Sequence, residues 1–316
     1  MYDVIIVGAG ASGLTAAIYA SRRNLKTLVI SQDIGGQAAT TPEVENYPGF
    51  EEMTDGFELM QKFKSQAEKF GAEIKTGEVT GIERQEHKFI VKTPVENLAT
   101  ESVVLAFGLT HRHLGVPGEE NLIGRGVTYC ATCDGPLFRD KTIAVVGGGA
   151  SAMETALYMS EMAKQVYLVH RRDQYRGEEV MLKRLNEAKN IEQVLNSQIE
   201  EIKGQDKVEA ITVKNNEGIA REIKVDGVFV EIGLEVKSEF IKGLVDLDEK
   251  NQIIIDAINQ TNCPGIYAAG DVTNIVYKQI VTSAGEGAKA ALSAYQYLQK
   301  KKGLPPQVDW GKKKEK

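Results

Sequence analysis

The sequence predicts an α/β protein built around two parallel βαβ units. Two observations carry this. One pattern about 30 residues long occurs twice, and each copy runs from an apolar β-branched stretch through clustered glycines into an alanine-rich segment. Glycine itself is in excess, 31 of 316 residues, or about 10% against a usual ~7%.

The first copy is YDVIIVGAGASGLTAAIYASRRNLKTLVIS (2–31). Its VIIV is the continuous apolar run of a strand buried on both faces. The following Ala- and Leu-rich stretch reads as a helix, and TLVI as the next strand. Residues 73–93 read as a small antiparallel excursion, and SVVLAFG (102–108) as a buried strand ending in glycine. The second copy is KTIAVVGGGASAMETALYMSEMAKQVYLVHRR (141–172). Strands are expected at VEAITVKN (208–215), EIKVDGVFVEIG (222–233), QIIIDA (252–257) and PGIYAAGDVT (264–273). A long amphipathic helix is expected over 281–302, followed by a Pro-led, lysine-rich tail that includes Trp310.

Composition narrows the functional classes. Apolar residues make up 42% and charged residues 26%, as in ordinary globular chains. Lys plus Arg number 38 against 44 Asp plus Glu, a net charge of −6, which argues against broad nucleic-acid binding. Three cysteines are too few for a disulfide-stapled secreted fold. The N-terminal stretch lacks a basic lead and carries Asp3, so it does not read as a signal peptide. No apolar run has membrane-spanning length, and the expected compartment is the cytosol.

Gly8, Gly10 and Gly13 form GxGxxG between a strand and a helix. The first glycine allows the tight turn, the second lets backbone approach a pyrophosphate, and the third allows close helix–strand packing. The anion then rests on the helix N-terminus. The acid usually found about 20 residues on is missing: Ser31 ends the second strand, with Asp33 two residues later. The second turn has the GxGxxA form, at Gly147, Gly149 and Ala152. Its strand-end position holds His170, with Arg171, Arg172 and Arg176 following. A basic cluster suits a ribose 2′-phosphate, so this unit reads as a site for NADPH rather than NADH. The first unit then takes FAD, which accepts hydride from a nicotinamide and passes electrons onward.

Cys130 and Cys133 form CATC, followed by Asp134. Beside a βαβ unit, CxxC reads as a redox pair with a lowered thiol pKa, exchanging through a mixed disulfide. Asp134 is placed to give or take the exchanged proton. The alternatives are inert cysteines, or half of a zinc site with His111 and His113 upstream as HxH; no second CxxC exists to complete it. Cys263 reads as a small buried hydrophobe.

Taken together, GAGASG, GGQAATTPEVENYPGF (35–50), CATCDG (130–135), GGGASA (147–152), HRRDQYR (170–176), GIYAAGDV (265–272) and KQIVTSAGEGAKAA (278–291) resemble the low-molecular-weight thioredoxin reductases, in order and over nearly the whole chain. The resemblance implies two Rossmann-like three-layer dinucleotide-binding domains, the second inserted into the first. Residues 1–113 and 246–316 would form the FAD domain, and 114–245 the NADPH domain carrying the CxxC pair. It implies a homodimer acting on a thioredoxin-like protein disulfide. Gly8, Gly10, Gly13, Gly36, Gln37 and Asn46 would contact FAD, Asp271 its ribityl or phosphate region, and Gln279 would lie near the ring. Arg171, Arg172 and Arg176, with His170 nearby, would bind the 2′-phosphate. Cys130 and Cys133 would be the active dithiol, Cys133 nearer the flavin, and Asp134 the acid.

The sequence departs from the family pattern at Phe107 and Leu109, at Ala150, at Glu231, which interrupts an apolar strand, and over 233–240, which lacks a usual proline. Because the dithiol and the NADPH site share one domain while both must reach one flavin, a rotation between two states is expected, with hinges near 111–118 and 242–248. A related flavoprotein with another donor or acceptor, such as ferredoxin, a glutaredoxin-like protein or a peroxidase component, is the alternative enzyme. A non-enzymatic NADP(H) sensor with a zinc-bound CxxC is the alternative of another class.

Overall fold

The computed structural model describes residues 1–41 and 44–305. Trp310 and the lysine-rich end lie outside the described residues. The chain forms two compact units: Met1–Leu109 with the chain from Val236 onward, and the intervening Thr110–Glu235.

In chain order the first unit begins with β1 (Tyr2–Val7), α1 (Ala11–Arg22), β2 (Thr27–Ser31), α2 (Gly36–Ala39) and α3 (Gly56–Lys69). It continues through β3 (Glu73–Thr76), β4 (Gly81–Gln85), β5 (Lys88–Lys92) and β6 (Asn97–Leu105). The second unit holds β7 (Thr110–His111), β8 (Val127–Thr128), α4 (Ala131–Asp134), β9 (Thr142–Val146), α5 (Ala150–Ser160), β10 (Gln165–Val169) and α6 (Glu179–Glu187). Then come β11 (Ile191–Val194), β12 (Ser197–Lys203), β13 (Ala210–Asn215), β14 (Ala220–Lys224), β15 (Gly227–Val230) and β16 (Leu234–Glu235). The first unit closes with β17 (Ile266–Ala268) and α7 (Ile280–Lys301).

The first unit is a seven-stranded sheet of order β3-β2-β1-β6-β5-β4, with β17 also pairing β6. Strands β1, β2, β3, β6 and β17 run parallel. β4 and β5 are antiparallel, β5 pairing with the first half of β6. Alternation along β1 explains its unbroken apolar run. Val4 and Ile6 face one core, with α1 and α7, while Ile5 and Val7 face the other. All four are buried, each such side chain contributing about 2 kcal/mol. The small residues Ala16, Ala17 and Ala20 of α1 meet Ala290, Ala291 and Ala294 of α7 in that core. The approach is closest at Gly287, where a Cβ would stand 2.0 Å from the Ser12 carbonyl oxygen.

The second unit repeats the plan as an all-parallel sheet of order β11-β10-β9-β15-β8. Helices α5 and α6 cover one face through Met153, Ala156 and Leu185. The antiparallel β12-β13-β14 sheet covers the other through Ile199, Ile211 and Ile223. These are Rossmann-like parallel sheets layered with helices, as expected. β7 and β16 pair where the chain enters and leaves this unit.

Several local expectations shift. Residues 73–76 join the parallel sheet, and the antiparallel part is the 81–92 hairpin. EIKVDGVFVEIG is divided between two sheets, because Asp226 pairs with Thr142 through both backbone and carboxylate and turns the chain. QIIIDA makes only isolated bridges at Ile253. Residues 236–245, which the sequence expectation gives to the inserted domain, send Val236, Ile241 and Val245 into the core of the first unit.

Candidate active site

The two glycine turns are built alike, each at the point where its sheet reverses strand order. Such points, at the carboxyl ends of strands, are where α/β sheets bind ligands. In the first unit Gly8 has φ +105°. A Cβ there would lie 2.3 Å from the Ala106 oxygen, and one on Gly13 would lie 1.9 Å from the Gly8 oxygen. The strand, turn and helix therefore close only with glycine at both positions. Gly10 is the extended N-cap of α1, with no side-chain cap. The amide donors of the first turn are left for another acceptor.

Other predicted residues converge on this turn. A Cβ on Gly36 would stand 3.7 Å from the Gly10 Cα, so the two glycines bring their loops into close backbone approach. Gly35 donates to the Ala9 oxygen at 2.8 Å. Asp33, the candidate substitute acid, accepts from Gly36 N at 3.1 Å and so fixes this loop. Gln37 follows in α2. A Cβ on Gly270 would be 2.6 Å from Ser12 Oγ, which brings Asp271 beside the first turn of α1. Asp271 accepts from Ser283 Oγ at 3.1 Å; burial pushes its carboxyl up, opposed by that hydrogen bond and by Lys278. Asn46 Nδ2 donates to Gln279 Oε1 at 3.2 Å, and Gln279 is the N-cap residue of α7, its side chain making no cap hydrogen bond. Phe107 packs edge-on to Phe240 at 4.9 Å, which gives that unusual residue a place in the core.

In the second unit a Cβ on Gly147 would lie 2.2 Å from the Glu231 oxygen, and Gly149 is the extended N-cap of α5. Ala152 is buried beneath the turn. His170 lies against Gly148, where a Cβ would come within 2.0 Å of the ring, and stacks on Tyr175 at 5.5 Å. Burial holds its imidazole below the usual range, as do Arg172, Arg171 and Arg176, against a backbone hydrogen bond with Gln174. The imidazole Nε2 is buried and has no hydrogen-bond partner among the described residues, and such an atom calls for a ligand hydrogen bond. Arg176 N donates to the Gly148 oxygen at 2.7 Å, pinning the arginine segment to the turn. All three arginines are exposed, and among the described residues none forms a salt bridge. The buried Nε2, the open turn and three unpaired guanidiniums fit a phosphorylated dinucleotide.

Cys130 and Cys133 are joined as a disulfide, with Cα atoms 5.4 Å apart. The pair stays close because Cys130 caps the single turn of α4, accepting from Cys133 N at 3.2 Å. Thr128, unnoticed in the sequence, ties both ends of this turn. Its hydroxyl accepts from Cys130 N at 3.1 Å and donates to Asp134 Oδ2. Tyr129 precedes the pair and donates to Glu119 at 2.9 Å. Glu119, 1% exposed, also accepts from the amides of Leu114 and Gly115. His113 Nδ1 is 3.0 Å from the Tyr129 hydroxyl, and the His111 ring lies over Tyr129. The HxH motif thus belongs to a tyrosine–carboxylate network. Among the described residues no three His, Cys, Asp or Glu side chains could hold a metal. Cys263 is buried, its thiol pushed up by burial. Among the described residues no helix is long and apolar enough to cross a membrane.

Comparison with known proteins places the chain among relatives of one kind. A family model, pyridine nucleotide-disulphide oxidoreductase, matches residues 2–288. A thioredoxin reductase of Mycolicibacterium smegmatis is 42% identical over 301 residues, covering 94% of this chain and 97% of the relative. One from Treponema pallidum is also 42% identical, over 94% and 97%. The crystal structure of Lactococcus lactis thioredoxin reductase is similar with a TM-score of 0.81 at 40% identity, over 95% of this chain and all of that one.

Proposed function

Because the chain belongs to the pyridine nucleotide-disulphide oxidoreductase family, and so to proteins that use flavin and nicotinamide nucleotides, we propose that it is an NADPH-dependent thioredoxin-disulfide reductase. The carrying observation is a CxxC disulfide built onto the same unit as a dinucleotide turn flanked by three free arginines. FAD would lie along Gly8, Gly10, Gly13, Gly36 and Gln37, with Asp271 on its ribityl or phosphate region and Asn46 and Gln279 near the ring. NADPH would lie over Gly147, Gly149 and Ala152, with Arg171, Arg172 and Arg176 on the 2′-phosphate and His170 Nε2 completing its buried hydrogen bond.

When bound, the flavin supplies a two-electron link between the nicotinamide and the disulfide. Reducing Cys130–Cys133 to two thiols takes two electrons and two protons, and Asp134, held by Thr128, exchanges a proton with the pair. One cysteine thiolate then attacks the disulfide of a thioredoxin-like protein and expels a partner thiolate, which takes up a proton. The other cysteine attacks the mixed disulfide, re-forms Cys130–Cys133 and releases the partner dithiol. Because the dithiol and the NADPH turn share one unit, the cycle requires that unit to rotate about its two crossings. A cytosolic homodimer is the expected form.

The test is steady-state reduction of a thioredoxin disulfide by the holoenzyme with NADPH, NADH or reduced ferredoxin as donor. NADPH should win, and Arg171→Ala with Arg172→Ala should raise its KM at least tenfold while leaving NADH little changed. Equal use of NADH, or turnover with ferredoxin alone, would overturn the donor assignment.

A further inference from the structure

Glu231 follows directly on β15 in a run that is otherwise apolar. Its amide donates to the Val146 oxygen at 2.7 Å, and its own oxygen abuts Gly147. Glu231 therefore stands at the point between β9 and β15 where the strand order of the β11-β10-β9-β15-β8 sheet reverses. The corresponding place in the first unit, against Gly8, is held by the buried methyl of Ala106. This turn geometry thus has no need of a carboxyl.

Nor does ion pairing explain it. Among the described residues the Glu231 carboxyl accepts one hydrogen bond, from Thr155 Oγ1 at 3.2 Å, and the charged neighbour acting on it is another acid, Glu154. Burial pushes it up to about 7, with Glu154 adding and Thr155 opposing. A carboxylate offers about four acceptor positions, and one is used. A half-buried acid without a cation weakens the fold, and this pattern is concentrated at functional sites.

Its position says what it reads. The arginines at the end of β10 take the 2′-phosphate end of a dinucleotide, and the glycine turn after β9 takes the pyrophosphate. One strand further, roughly 5 Å on, is the end of β15. We infer that the Glu231 carboxyl is a contact for the nicotinamide half of the bound dinucleotide, accepting hydrogen bonds from its ribose hydroxyls or carboxamide. These groups are donors, whereas the pyrophosphate would be repelled, so the carboxyl also fixes which end of the molecule lies over β15.

This rests on the NADPH reading of the unit, and the experiment separates the two. Calorimetric titration of the oxidised holoenzyme uses NADP⁺ and 2′,5′-ADP, which lacks the nicotinamide half, against wild type, Glu231→Ala and the isosteric Glu231→Gln. The expected result is about tenfold weaker NADP⁺ binding in Glu231→Ala, a smaller loss in Glu231→Gln, and 2′,5′-ADP binding unchanged within twofold. Unchanged NADP⁺ binding in both variants overturns the contact while leaving the site intact. Equal losses for both ligands also overturn it, since Glu231 would then act through the turn. If wild type binds neither ligand, the NADPH reading itself fails.

Discussion

Replacing Glu231 with glutamine should stabilise the protein, and the gain should depend on pH. The carboxyl is lifted from 4.5 to about 7 in the folded chain. Below its unfolded value it is neutral in both states and carries no penalty. Between 4.5 and about 7 the unfolded chain ionises first, so stability falls with rising pH, and above 7 the penalty is complete. A shift of about 2.5 units at ~1.36 kcal/mol each sets an upper bound of about 3.4 kcal/mol. Part of the side chain reaches solvent, which screens this to on the order of 2 kcal/mol. The amide keeps an oxygen for Thr155 and cannot ionise. At ~2–4 °C per kcal/mol, Glu231→Gln should melt about 4–8 °C above wild type at pH 8. At pH 5 the gap should shrink below about 1 kcal/mol. Thermal melts of the nicotinamide-free holoenzyme between pH 5 and 8 measure this. A gap that stays constant with pH, or a variant less stable at pH 8, would refute the reasoning. The confirmed result also means that Glu231 persists despite weakening the fold, as residues kept for binding do.

Thr128→Val should remove both the donor to Asp134 and the acceptor for Cys130 N, destabilising the turn by about 1–3 kcal/mol and shifting the pH profile of dithiol alkylation; Thr128→Ser should restore that profile. Gly13→Ala places a methyl 1.9 Å from the Gly8 oxygen, so it should lose about 1–3 kcal/mol and retain flavin poorly through gel filtration, judged from the visible spectrum. Joining the two units by an engineered crosslink should allow at most one half-reaction, flavin reduction by NADPH or electron transfer from pre-reduced flavin to the disulfide, and abolish NADPH-driven reduction of thioredoxin; undiminished cycling in a multiple-turnover assay would contradict the rotation.

The parts of this molecule written in local sequence were readable there. VIIVGAGASG announces its strand, turn and helix because a doubly buried strand needs a continuous apolar run and the close approach at Gly8 and Gly13 admits no side chain. CATC likewise declares its pair, since one helical turn is enough to bring the sulfurs together. What escaped depends on distant partners. The break in EIKVDGVFVEIG comes from Asp226 meeting Thr142, 84 residues away. QIIIDA has strand composition yet no full partner strand, only bridges at Ile253. Residues 236–245 change unit without any change in composition, because Val236 and Val245 would suit either core. Thr128 is an ordinary strand residue until its hydroxyl is seen between Cys130 and Asp134. Glu231 was visible as an oddity, but only the strand order showed that it stands beside the glycine turn.

The most direct measurement is anaerobic titration with NADPH followed by thioredoxin disulfide, comparing wild type, Cys133→Ser and the variant lacking both Cys130 and Cys133. Wild type should gain two titratable thiols and lose them as the disulfide re-forms and thioredoxin is reduced to its dithiol, while both variants should still bleach the flavin absorbance and produce no thioredoxin dithiol. Full production of thioredoxin dithiol without Cys130 and Cys133 would contradict the account.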